Sequence, residues 1–174
     1  MKCDKIIELP NQHTVHGLRV LDIGCGAGLV CEPLALRGAR VTGIDAAEKN
    51  VAAARAHADG GGIAIDYRAG DPEHALGADE RFDVVLLLEV VEHVGDVASF
   101  VATAARHVAP GGLLVASTID RTLKSFLFAI VGAEVVFRVL PRGTHRWRQF
   151  VRPAELSGAA RAAGMAPLDL RGMR

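Results

Sequence analysis

Three side chains able to hold a proton or a metal ion stand together at Glu89, Glu92 and His93, directly behind the largely apolar run Phe82 to Leu88. Their spacing is i, i+3 and i+4, which on a helix brings all three to one face. Two carboxylates and one imidazole with open coordination positions suit Mg2+, Mn2+ or Zn2+ alike on ligand chemistry. Two further readings use the same residues. His93 can serve as a general base, or Glu92 can meet the positive end of a helix while His93 packs or hydrogen bonds locally.

A second constellation lies upstream in "LDIGCGAG", residues 21–28, where Gly24, Gly26 and Gly28 alternate behind Asp22. A loop that passes close to a ligand cannot carry side chains where the ligand lies, which accounts for the glycines. A dinucleotide fingerprint would place its third glycine at position 29; Leu29 stands there, which argues against a nicotinamide cofactor. Asp45 closes the next apolar run, where a carboxylate can accept both hydroxyls of a ribose. Loop and acid together point to a nucleoside-containing cofactor. The plainer alternative is a structural tight turn, with Asp45 capping the helix that follows.

Positioning these residues requires strands that end at them. Short β-branched and aliphatic runs at Arg19 to Ile23 and Arg40 to Ile44 enclose a helical stretch from Leu29 to Arg37, a βαβ pattern. An alanine-rich helix over Glu48 to Ala58 stops at three consecutive glycines, and Ile63 to Arg68 alternates like a third strand. Phe82 to Leu88 reads as a central strand buried on both faces. Asp96 can cap a helix reaching about His107, ended by Pro110-Gly111-Gly112 before a fifth strand at Leu113 to Thr118. A helix over Pro153 to Ala163 and a sixth strand over Met165 to Leu170 complete the expectation. Alternating strands and helices predict an α/β fold, a doubly wound, mostly parallel sheet with right-handed crossovers. One domain over residues 1–174 is expected, since 174 residues suffice for a single core.

Charge is balanced, with 20 basic and 20 acidic residues, so nothing global suggests nucleic acid. The three cysteines follow no metal-ligand spacing, and no apolar secretory segment precedes them, which leads us to expect a reducing cytosol. No run of 18 residues is free of charge, so no membrane-spanning helix is expected. The balance nevertheless hides an asymmetry. Residues 121–152 hold seven Lys and Arg against the single acid Glu134, together with five of the chain's eight aromatic residues.

Asp22-Ile-Gly-Cys-Gly-Ala-Gly28 followed by Gly-Ile-Asp45 resembles the class I S-adenosylmethionine-dependent methyltransferases. The resemblance implies that the glycine loop approaches the methionine part of S-adenosyl-L-methionine and that Asp45 holds its ribose. Asp71, in Ala-Gly-Asp-Pro, stands where such enzymes often contact adenine, although an aspartate capping the loop before Pro72 explains it equally well. Read together, "EVVEHV", "APGGLLVASTIDR", "KSFLFAIVGAEVVFRVLPRGTH" and "QFVRPAEL" resemble the ubiquinone-biosynthesis O-methyltransferases over roughly Leu18 to Met165. By that resemblance the acceptor is a catechol or phenol with a polyprenyl tail, methylated on oxygen. Gly24, Asp45 and Leu88 would then bind the cofactor, Leu88 through its backbone, while Glu89, Glu92 and His93 hold a divalent metal. Three features depart from the family pattern. Met1 to Gly17 does not match the segment carrying a cofactor-binding arginine, Asp120 replaces an asparagine, and the seventh strand is expected to be missing.

The basic segment also suggests a lipid-facing role. Leu123 to Leu140 is largely apolar, but Lys124, Glu134 and Arg138 make spanning costly, so it is expected to lie on an anionic membrane surface. The plainer reading is a lid over the active site. A cytoplasmic protein attached peripherally to the inner membrane, associated with other quinone-biosynthesis enzymes, is the expectation. The alternatives are a non-catalytic lipid- or quinone-binding paralogue and a methyltransferase for another small acceptor.

Overall fold

The computed structural model describes residues 15–118 and 151–171. Five strands form one sheet: β1 (Arg19–Ile23), β2 (Arg40–Asp45), β3 (Asp66–Ala69), β4 (Phe82–Leu88) and β5 (Val108–Ser117). They lie in the order β3-β2-β1-β4-β5, and every neighbouring pair is parallel. After β1 the chain builds outward through β2 and β3, then returns to β1's other edge for β4 and β5. Order therefore reverses between β1 and β4, the position where open α/β sheets bind ligands at the carboxyl ends of their strands.

Strand alternation assigns side chains to two cores. Val20, Val84 and Leu86 pack with Val51, Ala54 and Tyr67 on one face, while Leu21, Ile23, Val85 and Leu87 pack with Val101 and Ala104 on the other. Helices α1 (Cys31–Leu36) and α2 (Glu48–Gly60) cover the first face. The second is covered by α3 (Pro72–Ala75), α4 (Val97–Arg106) and α5 (Pro153–Ala162). Helices on both faces explain why β4 is apolar without alternation from Val84 to Leu88.

Local chemistry sets the element ends. Asp96 caps α4 by accepting from Ser99 N at 3.1 Å, as the sequence predicts. Asp71 caps α3, accepting from His74 N at 3.0 Å, with Pro72 in the first turn. The glycines at 111 and 112 interrupt β5 rather than preceding it, because the β4–β5 register shifts between Phe82 and Val84. A side chain at Gly112 would meet the carbonyl oxygens of Ala109 and Asp83, each 2.9 Å from a Cβ there.

One expected element does not form. Met165 to Leu170 follows α5 without strand pairing among the described residues, leaving Leu168 82% and Leu170 69% exposed. A strand needs a neighbour to satisfy its backbone, and periodicity alone supplies none. The basic segment 121–152 lies outside the described residues except for Val151 and Arg152. No helix among the described residues is long and apolar enough to cross a membrane.

Candidate functional site

The carboxyl end of β1 becomes the glycine loop through backbone bonds to β2. Gly24 N and Cys25 N both donate to Ile44 O, at 2.8 and 3.0 Å, and Gly28 N closes the turn onto Cys25 O at 3.0 Å. All three glycines have positive φ: 81° at Gly24, 55° at Gly26 and 84° at Gly28. Their surroundings differ. A Cβ at Gly24 would lie 2.6 Å from Val90 Cγ2, so close packing of the loop against the end of β4 requires glycine there. One at Gly28 would lie 2.1 Å from the Tyr67 hydroxyl, but one at Gly26 would meet nothing within 4 Å. Gly26 is thus the member of the loop that faces open space.

Tyr67 is a residue the sequence reasoning missed. Its buried ring also lies over Gly43, where a Cβ would approach Tyr67 Cδ1 to 2.8 Å. Glycine inside a strand marks such close approach, and Gly43 in the middle of β2 was the available signal.

Asp45 stands at the end of β2 with its carboxylate directed by three donors. Oδ2 accepts from Gly26 N at 2.9 Å, and Oδ1 accepts from Ala47 N at 2.8 Å and Asn50 Nδ2 at 3.1 Å. A carboxylate offers about four acceptor positions, so Oδ2 retains room for one further hydroxyl beside the open face of Gly26. The capping and ligand-holding readings of Asp45 are therefore compatible in one geometry.

Asp22 shares this edge but points into the core. Only 3% exposed, it accepts from the Cys31 thiol at 3.3 Å. Burial, with repulsion from Asp45 adding to it, pushes its carboxyl up to about 6 against the lowering effect of the Cys31 bond. The Cys31 thiol is itself held far above the usual range, first by its hydrogen bond with Cys25 and then by burial. It is thus a packed thiol rather than a nucleophile.

Asp71 is engaged locally. Besides capping α3, it accepts from His74 Nδ1 at 2.7 Å, and that bond holds its carboxyl below the usual range. Leu88 ends β4 opposite Ser117 of β5. Beyond it the chain does not enter the helix that would align the three candidate metal ligands. Glu89 takes a left-handed conformation, φ 52°, and only a single 3-10 turn, Val91–His93, follows. Glu92 is buried, whereas Glu89 and His93 are exposed. Among the described residues no group of three His, Cys, Asp or Glu side chains is arranged to hold a metal ion. The proposed metal set therefore does not fit this geometry, because its spacing argument needed a helix through Glu89.

Residues 21–116 match the family model described as "Methyltransferase domain", a stretch that runs from the glycine loop through β5. The chain belongs to this methyltransferase-domain family. It is 55% identical over 157 residues to the ubiquinone biosynthesis O-methyltransferase of Azorhizobium caulinodans, covering 90% of this chain and 62% of the relative. The protein of the same name from Methylobacterium sp. (strain 4-46) is 54% identical, with 90% and 63% covered. The chain thus spans less than two thirds of the length of these curated relatives. Among solved structures it is similar to magnesium protoporphyrin IX methyltransferase from Synechocystis PCC 6803 with bound S-adenosylhomocysteine. That likeness has a TM-score of 0.68 and 25% identity, over 86% of this chain and 65% of that one. The fold is that of the S-adenosylmethionine-dependent methyltransferases.

Proposed function

We propose that the chain binds S-adenosyl-L-methionine along the β1–β2 edge and methylates a phenol oxygen of a polyprenyl hydroxyphenol in ubiquinone biosynthesis. The observation that carries this reading is the Gly26–Asp45 unit: an unobstructed glycine bonded to a directed carboxylate that keeps one acceptor position free. When bound, the sulfonium supplies an activated methyl group for in-line displacement by oxygen. Gly26 leaves space for the cofactor's approach, and Asp45 Oδ2 accepts a ribose hydroxyl, fixing the cofactor's direction. The exposed imidazole of His93, beyond the end of β4, takes the phenol proton at a ring nitrogen. No step passes through a metal ion.

The acceptor's tail fits the sequence of 121–152 better than it fits the described surface. Thr118 Oγ1 donates to Val151 O at 3.4 Å, so the described residues on either side of 119–150 lie together beside the carboxyl end of β5. In our reading the segment attaches the protein to the anionic face of the inner membrane from the cytoplasm, beside other quinone-pathway enzymes. Replacing Phe126 and Phe128 with serine should abolish flotation with anionic liposomes; unchanged flotation would end this part of the reading.

Calorimetric titration with S-adenosylhomocysteine tests the whole. Micromolar binding, weakened by Asp45→Asn, followed by transfer of labelled methyl to a catechol, is expected. Absence of binding by folded protein would leave the non-catalytic reading in its place.

A further inference from the structure

Glu89 is the single non-glycine residue with positive φ among the described residues, at 52°. An L residue is strained there, and glycine would adopt the same backbone freely. Strain of this kind persists where the surroundings over-determine it, and it gathers at functional positions. Here the over-determination comes from one side chain. Ser117, at the end of the adjacent strand, accepts from Glu89 N at 3.1 Å and donates its hydroxyl to Glu89 Oε1 at 2.7 Å. Backbone and carboxylate of the glutamate are thus held by the same oxygen. Oε2 has no protein partner among the described residues, and the side chain is exposed at the carboxyl edge, one residue from the Val90 that packs against Gly24.

We propose that Ser117 is a positioning residue for the acceptor: it clamps Glu89 in its left-handed conformation so that Oε2 accepts a hydrogen bond from an acceptor hydroxyl at the end of β4. This clamp explains why a long acid, rather than glycine, occupies a position whose backbone suits glycine. It also gives the acid a task that needs no second or third ligand beside it. The inference rests on the proposed methyl-transfer reading, because it presumes an acceptor beside the bound cofactor.

The test uses the full 174-residue chain and its variants Ser117→Ala, Ser117→Thr and Glu89→Gly, with S-adenosylhomocysteine and catechol as probes. Affinity for S-adenosylhomocysteine should stay within about twofold of wild type in all three variants, since the cofactor edge lies on β1 and β2. Catechol affinity of the S-adenosylhomocysteine-saturated protein should fall about tenfold in Ser117→Ala and in Glu89→Gly, the scale of one charge-assisted hydrogen bond. Ser117→Thr, which keeps the hydroxyl, should restore it. The unfolding midpoint of Glu89→Gly should not drop below wild type, because the backbone strain is relieved. Wild-type catechol binding by Ser117→Ala, or no rescue by Ser117→Thr, overturns the clamp while leaving the cofactor reading intact. A wild-type chain that binds no S-adenosylhomocysteine overturns both.

Discussion

The backbone amide of Gly26 donates to Asp45 Oδ2 at 2.9 Å, tying the loop after β1 to the acid after β2. Loop shape and carboxylate direction therefore depend on each other. Asp45→Asn should weaken S-adenosylhomocysteine binding by about tenfold or more and also lower stability by roughly 1–3 kcal/mol, since a charged acceptor for three donors is lost. Calorimetry and urea unfolding on the same samples separate the two effects; full affinity in a destabilised variant would reduce Asp45 to a cap.

Gly26 and Gly28 should respond differently to alanine. In Gly28→Ala the new methyl would overlap the Tyr67 hydroxyl, so unfolding should be easier by about 2 kcal/mol or more, and adding Tyr67→Phe should recover part of that. Gly26→Ala has open space, so its stability cost should stay near the 1–2 kcal/mol of a left-handed L residue, while S-adenosylhomocysteine affinity falls sharply. Equal losses of affinity in both variants, scaling with stability, would contradict the assignment of Gly26 to the ligand.

Asp22 gives a pH signature. Its carboxyl is raised to about 6 in the folded protein. Below pH ~4 it is protonated folded or unfolded; as pH rises to about 6, the unfolded chain loses the proton first, so stability falls by on the order of 3 kcal/mol. Asp71 and Glu80 are shifted the other way, Glu80 chiefly by its hydrogen bonds with Arg68, and they contribute stability that is lost in acid. Comparing wild type with Asp22→Asn isolates the first effect: the variant should gain on wild type between pH 4 and 6 and keep the advantage above. Parallel pH profiles would show that Asp22 does not titrate in this range.

Much of this frame is legible in the sequence because periodicity and strand ends coincide. β1 and β4 fall at the bounds their apolar runs predict, and Asp96 and Pro153 mark real helix starts. The short helix α3 escaped notice although Asp71-Pro72 announces it, because four residues carry no period. The sixth strand failed for the opposite reason: alternation was present and a partner was not. The turn after β1 and the place of Asp45 at the end of β2 could be read from spacing, but the separate reasons for each glycine depend on Val90 and Tyr67, distant in sequence. The helix presumed for Glu89, Glu92 and His93 is absent because Glu89 is left-handed, a dihedral that no pattern of residue types reveals.

Metal removal is a direct check on that point. Treatment with EDTA should leave both the unfolding midpoint and S-adenosylhomocysteine affinity unchanged, since the described residues supply no three-ligand group. A midpoint that falls on chelation and returns with Mg2+ or Zn2+ would establish a metal centre.

The strand order has a consequence for how the chain is born. β1 pairs with β2 some twenty residues downstream, but its other edge waits for β4, with Val20 opposite Val84. During synthesis, β1 to β3 can assemble while β1, destined for the centre of the sheet, still presents an open, apolar edge. That interval, rather than the finished protein, is when misassembly threatens, and variants that slow β4's arrival should be rescued by chaperones without any change in the folded state.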